Sequence, residues 1–459
     1  MTQTPKHHHL MDIGGIGMSG LALILQAYGH KVSGCDKNIF PKILELRQKG
    51  IPVAHGHSPD HISSELDTLV LSTGVSYLEP EVQKAQQQGI RVLRRIELLG
   101  DLMRERRGIA IAGTHGKTST SAMVASVFVG CDTDPTAAVG GEVAALGGNA
   151  RVGLGKHFIA EIDESDPLFA DIDSEIAIIT NIEDDHVALS ADDVRNNYHA
   201  SVADLHKAFY TFAARAKCVV YCADWQGLEA LVPQKNAIGY GIQNGQYRAL
   251  DLELGNGQPR FVFAYNGQPL VQVQLRVPGT HNVLNAVAAL AVAHLEGLDL
   301  IAAAKALAAF GGAGRRWEVL GEYNQALLVD DYAHNPTKVE AAILGALTYN
   351  KKVRVIFQPH RMVRTAREWQ RYASVLQKAD EVLMLDIYSA GEAAIAGIDS
   401  HKILEQMQQD GYYNVSYFAS LENAKNHVLK TAQAGDLIVT MGAGDVTKIL
   451  REIVAVNHG

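Results

Sequence analysis

The sequence is short of cysteine, of positive charge and of long apolar runs, and each shortage excludes a class of protein. The four cysteines among 459 residues are too few and too scattered for a disulfide framework; they are Cys35, Cys131, Cys218 and Cys222. Cys218 and Cys222 lack the paired Cys or His partners of a zinc site, so we expect all four to be reduced, mostly buried thiols. With 41 Lys and Arg against 50 Asp and Glu, the formal net charge of −9 argues against general binding to nucleic acid or anionic membrane. Any anionic ligand must therefore be held by local groups.

The sequence also lacks a segment that predicts membrane insertion or export. The longest apolar stretch, residues 283–295, is interrupted by Asn285 and His294 and is too short to span a bilayer. The first ten residues have no apolar core of the kind that a secretory signal needs, and their three histidines at 7–9 indicate a solvated lead-in or a metal-binding tract. We therefore expect a cytoplasmic protein.

Segments rich in β-branched residues alternate with segments of helical period along the whole chain, which predicts an α/β fold with mostly parallel sheets. The length suggests about three domains. We predict a Rossmann-like domain over 1–105, a central domain with a P-loop ATPase-type mixed sheet over 106–313, and a second Rossmann-like domain over 314–459. The charged run 104–108 and the glycine-rich run 310–314 are the expected linkers, and the polar, alternating segment 240–275 predicts antiparallel hairpins.

A glycine-rich segment between a predicted strand at 108–112 and a helix expected from Ser119 carries the clearest functional motif. Its residues are Gly113, Thr114, His115, Gly116, Lys117, Thr118 and Ser119. Glycines let the backbone wrap around phosphate, and amides at a helix start donate hydrogen bonds to it. Lys117 is then placed to reach the terminal phosphates and the Thr118 hydroxyl to bind Mg²⁺. The loop has two residues between its glycines rather than four; a nucleoside triphosphate site is predicted, and a simple turn before an amphipathic helix is the alternative.

Two acidic blocks follow two predicted strands of the same central domain. They span residues 161–166 and 180–186. Open α/β sheets bind ligands at the carboxyl ends of their strands, and Mg²⁺ prefers carboxylates and water, so the blocks predict one or two metal ions near the phosphates. The alternative is a pair of solvated loops.

The N-terminal turn has the glycine spacing of a phosphate-binding turn, with one departure. The first predicted strand is followed by Gly14, Gly15, Ile16 and Gly17. The second predicted strand ends at Asp36, as in a dinucleotide-binding fingerprint. That fingerprint would require glycine at position 12, where this chain has Asp12, and a carboxylate there is expected to crowd or repel a diphosphate. A tight strand–helix turn without a ligand is the local alternative.

Two arginine pairs mark the last third of the chain. Arg361 and Arg364 are three residues apart and form a candidate clamp for a carboxylate, because arginine donates through a planar fork. Arg315 and Arg316 lie beside the glycine-rich linker, where domain movement would bring them onto phosphate. Considered alone, the first pair also fits an exposed salt-bridged face and the second a basic linker.

Taken together, these motifs resemble the Mur ligases over nearly the whole chain, and within that family the members that add alanine. The residues that carry the resemblance lie at 13–20, 32–36, 113–118, 139–143, 161–166, 180–183, 281–285, 330–334, 357–365, 391–392 and 442–445. The resemblance implies an ATP-dependent ligase of peptidoglycan precursor synthesis, with Mg²⁺ or Mn²⁺ as its metal. It would join L-alanine to the carboxylate of UDP-N-acetylmuramate through an acyl phosphate and release ADP and phosphate. Both substrates are small molecules, and the enzyme would be a monomer or a homodimer.

The resemblance also assigns roles to single residues. The metal ligands would be Thr118, Glu161 and His186, and Lys117 would hold the phosphates. Asn282 and Asn285 would lie near the adenine, Asp331 at the ribose and Arg316 near the γ-phosphate. The nucleotide sugar would be held by Gly14, Gly15, Ile16, Gly17, Asp36, Ser72 and Thr73, and the alanine by Tyr332, His334, Arg361 and Arg364. Of these, Lys117, His186, Arg316 and His334 would be catalytic.

Three positions depart from the family pattern: Asp12, Asn335 in place of a second histidine, and the run 187–190 after His186. A close alternative is the peptide-recycling ligase of the same family, which attaches a tripeptide to the same nucleotide sugar but lacks the Gly14–Met18 pattern. A nucleotide-sugar sensor without activity would not need the central metal and phosphate residues, and an NAD-dependent dehydrogenase would not explain the loop that contains Lys117.

Overall fold

A computed structural model describes residues 4–38, 41–184, 187 and 199–457. Its 21 described strands, β1 to β21 in chain order, are His7–Met11, Lys31–Asp36, Val53–His55, Thr68–Leu71, Arg91–Arg94, Arg107–Ala112, Thr136–Val143, Gly148–Arg151, His157–Glu161, Ser174–Ile179, Ala216–Cys222, Ala237–Gly241, Tyr247–Glu253, Arg260–Tyr265, Gln268–Gln274, Glu318–Tyr323, Ala326–Asp331, Lys352–Phe357, Glu381–Leu385, Val415–Phe418 and Asp436–Met441. The 13 described α-helices, α1 to α13, are Ile16–Ala27, Pro41–Gln48, Pro80–Gln87, Arg95–Arg104, Lys117–Gly130, Val202–Arg215, Thr280–Leu295, Leu300–Ala309, Pro336–Leu347, Met362–Leu376, Ser400–Gln409, Leu421–Thr431 and Thr447–Asn457.

The strands form three sheets, and the predicted α/β class is confirmed. The first sheet has the order β3-β2-β1-β4-β5 with every pair parallel, which is a Rossmann-like order. The second has the order β15-β14-β13-β12-β11-β10-β6-β9-β7-β8 and is mixed, because β7 and β8 pair antiparallel. The third has the order β16-β17-β21-β18-β19-β20, with β16 as an antiparallel edge strand. The domain boundaries near 105 and 313 stay predictions.

The chain folds into two compact units. The first comprises residues 1–250, 263–271 and 284–307, and the second comprises residues 251–262, 272–283 and 308–459. In the first unit, β6 and β10 are neighbours whose apolar runs, Ile109–Ala112 and Ile176–Ile179, are almost completely buried. Such continuous burial is typical of parallel strands that are covered on both faces. The predicted hairpin segment includes β14 and β15, joined by Asn266 and Gly267 with φ of 49° and 77°, as a two-residue hairpin turn requires.

The second unit has a separate hydrophobic core on each face of its sheet. Alternate residues of its central strands enter opposite clusters: Val329 and Val439 lie in one, and Leu328 and Ile438 in the other. The period of two follows from the strand geometry. Helices α9, α10 and α11 cover the first cluster and α12 and α13 the second.

Several local expectations need correction. Residues 7–9 are not a lead-in, because they belong to β1, and burial lowers the pKa of His8 to about 4, which leaves a neutral ring that packs inside the fold. The expected linker at 104–108 is mostly structured, since α4 ends at Arg104 and β6 begins at Arg107. Two of the four thiols are fully buried, while Cys131 and Cys218 are half-buried. Within the described part of the chain, no helix has the length and apolarity needed to cross a membrane.

Candidate active site

The predicted phosphate loop lies between β6 and α5, where two glycines adopt backbone angles that other residues avoid. Gly113 has φ of 134° and Gly116 has φ of 80°. A Cβ at Gly113 would overlap the Thr180 hydroxyl and lie 2.9 Å from the carbonyl oxygen of Asn181. Helix α5 begins at Lys117, two residues earlier than expected, with Gly116 as its N-cap. The first amides of α5 are therefore available to an anion at the end of the loop.

Three residues after β10 fix the shape of this loop, and we call Thr180, Asn181 and Glu183 the clasp. The Thr180 hydroxyl and the Asn181 side-chain amide donate to the carbonyl oxygen of His115 over 2.6 and 3.0 Å, and the His115 amide donates to Asn181 Oδ1 over 2.7 Å. Glu183 Oε2 lies 2.8 Å from His115 Nε2. Glu183 was expected only as part of an acidic metal block, whereas here it contacts the loop. The sequence placed these residues in an acidic block expected near the metal, and it did not predict their contacts with the phosphate loop.

Lys117 is held by a carboxylate that the site prediction also missed. Its ammonium lies 2.5 Å from Glu164 Oε2 and donates to the Gly113 carbonyl oxygen over 2.7 Å. The Glu164 side chain is completely buried. Burial by itself would lower the pKa of Lys117, but the negative charges of Glu164, Asp163 and Glu161 outweigh it and raise that pKa. Lys117 is therefore a fixed positive charge at the base of the loop.

The structure brings together two of the three predicted metal ligands. The Thr118 hydroxyl donates to Glu161 Oε1 over 3.0 Å, and the Gly140 amide donates to Glu161 Oε2 over 2.7 Å. Ser119, one residue further along α5, is half-buried. His186 lies outside the described residues, so its predicted role stays a prediction. The hydroxyl and carboxylate oxygens form a hard donor pair of the kind that Mg²⁺ prefers.

The two predicted adenine contacts both lie on α7 and are both buried. In the first unit, the Thr120 hydroxyl donates to Asn285 Oδ1 over 3.0 Å. This bond ties α7 to the first turn of α5. In the second unit, the Asn282 side-chain amide donates to the Pro278 carbonyl oxygen over 2.8 Å.

The N-terminal glycine segment joins β1 to α1, and its last two residues already belong to the helix. The Gly14 amide donates to Asp36 Oδ2 over 2.9 Å, which fixes the turn against the end of β2. Helix α1 begins at Ile16, and both Gly15 and Ile16 are exposed. A Cβ at Gly17 would lie 3.1 Å from the Arg95 guanidinium, so glycine gives that arginine room beside the turn. The first turn of α1 is thus open to a ligand.

Asp12 fits this turn better than the sequence suggested. Its φ of 56° lies in the left-handed region, which explains why the fingerprint prefers glycine there and why Asp, among other residues, is tolerated. Its carboxylate lies 3.0 Å from His57 Nε2 and accepts a hydrogen bond of 2.7 Å from the Ser72 hydroxyl. Ser72 is itself a predicted diphosphate contact, and its neighbour Thr73 is half-buried. The charge of Asp12 is therefore adjacent to the predicted binding turn but already has two polar partners.

In the second unit, Asp331, the predicted ribose contact, already accepts hydrogen bonds from its own chain. Asp331, at the end of β17, accepts hydrogen bonds of 2.8 Å from the amides of Trp317 and Ala333. Burial raises the pKa of its carboxyl group, and Arg316 and these amides lower it by less. The Arg316 guanidinium also lies 4.6 Å from the ring centre of Tyr332. Asp331 thus fixes the turn that carries Arg316 and Tyr332.

The predicted alanine site lies at the carboxyl ends of β17 and β18. Burial, Lys338 and Arg364 together lower the pKa of His334 well below its usual value, so this ring is neutral. Its Nδ1 lies 2.8 Å from the carbonyl oxygen of Tyr332. Because that oxygen can only accept, Nδ1 carries the hydrogen and Nε2 has a lone pair to offer. Asn335, the departure from the family pattern, caps α9 by accepting from the Lys338 amide over 3.0 Å.

The two arginines of the expected clamp have different surroundings. Arg361 has an unusual φ of 72°, and its Nε lies 2.9 Å from Glu392 Oε1. Arg364 lies in the first turn of α10 and donates to the carbonyl oxygen of His360 over 3.4 Å. Glu392, which also accepts from the Val363 amide over 3.1 Å, is a further positioning residue that the predicted site did not include.

Comparison with known proteins identifies the family of this chain. Residues 7–107 match the Mur ligase family, catalytic domain; residues 111–293 match the Mur ligase middle domain; and residues 315–444 match the Mur ligase, glutamate ligase domain. The chain belongs to the Mur ligase family.

Similar full-length relatives define the comparison more closely. The UDP-N-acetylmuramate–L-alanine ligase of Deinococcus radiodurans is 45% identical over 98% of this chain and 94% of its own, and that of Carboxydothermus hydrogenoformans is 41% identical over 96% and 94%. The crystal structure of the UDP-N-acetylmuramate–alanine ligase MurC of Thermotoga maritima matches with a TM-score of 0.83 at 28% identity, over 98% of this chain and 99% of that one. A murein peptide ligase of Psychrobacter arcticus shares the fold at 23% identity with a TM-score of 0.67.

Proposed function

We propose that this protein is the ATP-dependent ligase that joins L-alanine to the carboxylate of UDP-N-acetylmuramate. The observation that carries the proposal is its full-length similarity to two alanine-adding ligases at 45% and 41% identity. The phosphate loop with its buried lysine supports the use of ATP. The products are UDP-N-acetylmuramoyl-L-alanine, ADP and phosphate.

The chemistry requires activation because a carboxylate is a poor electrophile. The muramoyl carboxylate attacks the γ-phosphorus of ATP, ADP leaves, and an acyl phosphate forms. The amine of alanine then attacks the acyl carbon, and the tetrahedral intermediate expels phosphate. The negative charge on the transferred phosphoryl group must be offset throughout. Lys117 and the first amides of α5 supply that offset in this chain, with the clasp holding the loop around them.

Mg²⁺ suits the oxygen donors beside the loop. Thr118 and Glu161 would hold it, with His186 as the proposed third ligand, and Mn²⁺ would fit the same oxygens. When bound, the ion offsets phosphate charge. The hydrogen bond from the Gly140 amide keeps the Glu161 carboxylate directed toward Thr118.

The second unit is proposed to bind the amino acid. Arg364 and Arg361 would hold the carboxylate of alanine through charge-assisted hydrogen bonds. The lone pair of His334 Nε2 would accept a hydrogen bond from the amino group and so orient it. Arg316 would meet the γ-phosphate and Asp331 the ribose, while Asn282 and Asn285 would contact the adenine.

The N-terminal turn is proposed to bind the nucleotide sugar. Backbone amides of Ile16 and Gly17 at the start of α1 would donate to the diphosphate, with the Ser72-Thr73 turn beside them, while the Gly15 amide donates to the Asp12 carbonyl oxygen over 3.2 Å and supports the turn. Asp36 supports the turn through Gly14. We further propose a cytoplasmic enzyme, monomeric or homodimeric, whose product serves the cell wall and hence cell shape and division.

The decisive experiment is phosphate release from ATP and Mg²⁺ with each substrate omitted in turn. Release that requires both UDP-N-acetylmuramate and L-alanine, with the alanyl product in the mass spectrum, would support the proposal. Release only with a tripeptide would reassign the chain to peptide recycling. Binding of the nucleotide sugar without release under any combination would favour a sensor.

A further inference from the structure

We propose that the first unit contains a zinc site unrelated to the ATP chemistry, formed by four side chains: His9, Cys35, His61 and Glu81. Their ligand atoms all lie within 4.8 Å of one another. Cys35 and Glu81 are fully buried, His9 is 4% exposed, and His61 is half-buried. Two imidazoles, a thiol and a carboxylate are the donor types of tetrahedral zinc sites.

Three of the six distances between these donors, those from Glu81, match the edges of a zinc tetrahedron, and the other three are below 4.8 Å. Glu81 Oε1 lies 3.2 Å from His9 Nε2 and 3.3 Å from His61 Nδ1, and both carboxylate oxygens lie 3.6 Å from Cys35 Sγ. For Zn–N and Zn–O bonds of about 2.0–2.1 Å and a Zn–S bond of about 2.3 Å, tetrahedral neighbours lie about 3.3 Å apart, or about 3.6 Å where one is sulfur. These three contacts of Glu81 therefore need no backbone movement to accept the ion.

The surroundings of His9 direct a ring nitrogen toward the shared centre. Its Nδ1 lies 2.9 Å from the Ser33 hydroxyl, which is the supporting contact that metal-bound histidines usually make through their other nitrogen. Its buried Nε2 faces Glu81 Oε1 at 3.2 Å. This separation is close to the distance of about 3.3 Å between two nitrogen or oxygen ligands on one zinc ion. The Ser58 amide fixes the other oxygen of Glu81 over 2.9 Å.

The four ligands come from four separate elements. They are β1, β2, the short 3₁₀ turn Pro59–His61 and the first turn of α3. A bound zinc ion would cross-link these elements near the glycine turn, because Cys35 precedes Asp36 and its carbonyl oxygen accepts from the Ile13 amide over 3.2 Å. We therefore assign the site a structural role in the N-terminal sheet.

The experiment uses the full-length protein, stripped with a chelator, dialysed and titrated with Co²⁺ as a spectroscopic stand-in for zinc. We expect one equivalent that gives tetrahedral d–d bands and a thiolate-to-cobalt charge-transfer band, both lost on adding Zn²⁺, and a higher melting temperature with Zn²⁺. The charge-transfer band identifies this site, because the ligands proposed for Mg²⁺ include no cysteine.

Two variants and one control complete the test. Cys35→Ser should abolish the charge-transfer band, and His61→Asn should weaken Co²⁺ binding at least about tenfold. Cys131→Ser, which removes a half-buried thiol elsewhere, should behave as the parent chain does. If Cys35→Ser does not fold, His61→Asn decides the matter at a more exposed position. No charge-transfer band in the parent chain, or a band that survives in Cys35→Ser, would overturn the proposal.

Discussion

Replacing Asp12 tests how the N-terminal turn binds the diphosphate of the nucleotide sugar. In the structure the carboxylate accepts the hydrogen of Ser72 over 2.7 Å and lies 3.0 Å from His57 Nε2, with its side chain 32% exposed. A diphosphate oxygen that took over the Ser72 hydrogen bond would lie within about 5.5 Å of that carboxylate, given a normal hydrogen bond of about 2.8 Å. The variant Asp12→Gly removes this charge and also suits the left-handed backbone.

The expected gain follows from Coulomb's law. Two unit charges about 5.5 Å apart repel by about 3 kcal/mol at an effective dielectric constant of about 20. Partial exposure and the His57 contact reduce this to about 1–2 kcal/mol, which is a five- to thirtyfold tighter dissociation constant for UDP-N-acetylmuramate. Ser72 and His57 also become available to the ligand.

Calorimetry with a second variant separates the effect of the Asp12 charge from the effect of the left-handed backbone conformation at that position. Asp12→Asn removes the charge, tolerates the left-handed conformation and can still accept from Ser72. Both variants should bind the nucleotide sugar more tightly than the parent chain, and the difference should shrink as salt is added. A gain in Asp12→Gly alone would show that backbone strain matters rather than charge. An unchanged or weaker constant in Asp12→Asn would refute the reasoning and make Asp12 a positioning residue for Ser72 and His57.

Three further predictions concern the first unit. The variant Lys117→Met removes the cation 2.5 Å from buried Glu164 and should lower the free energy of unfolding by about 3–5 kcal/mol. The double variant Lys117→Met with Glu164→Gln should keep the melting temperature of the parent chain and still lose at least about a hundredfold in turnover. The variant Gly113→Ala would overlap the clasp, so it should lower the free energy of unfolding by about 2 kcal/mol or more and weaken ATP binding. The matched control is Gly147→Ala, because Gly147 also has a positive φ, of 68°, but has open space around it. Burial would raise the pKa of Glu296, but hydrogen bonds from His157 and Arg107 outweigh it and lower the pKa to about 2, so Glu296→Gln should lose about 3 kcal/mol at pH 7. Because that pKa is depressed in the folded state, the difference in urea denaturation between parent and variant should fall as the pH drops from about 4.5 toward 2.

The fold could be predicted from local patterns because buried parallel strands have a clear signature. The apolar runs of β6 and β10 and the glycines after β1 and β6 each mark an element without knowledge of the rest of the chain. The sequence predicted a strand from His8, which the structure confirms, but the solvated lead-in expected at residues 7–9 was wrong because histidine is read as polar. In β1 the neutral ring of His8 is buried, and the pairing of β1 with β2 and β4 explains this.

The candidate site was predicted where a motif is continuous and missed where partners come from other elements. Lys117 and Thr118 are recognisable within their loop, whereas Glu164 belongs to a different strand end. It reaches Lys117 only because β9 lies next to β6 in the sheet. Glu392 reaches Arg361 in the same way, across about thirty residues of chain. Strand order decides these contacts, and no local pattern contains it.

These internal carboxylate partners mean that a ligand must displace an existing contact when it binds. Lys117 and Arg361 are already paired with internal carboxylates, and the Ser72 hydroxyl already donates to Asp12. An incoming phosphate or carboxylate must therefore compete with an existing partner, so the net affinity is a difference between two ion pairs. Neutralising the internal carboxylate should then tighten ligand binding at a partly exposed position such as Asp12. Neutralising the buried Glu164 should instead weaken ligand binding, because its carboxylate holds the Lys117 ammonium in place. The sign of the effect depends on burial, and comparing the two positions tests that dependence within one chain.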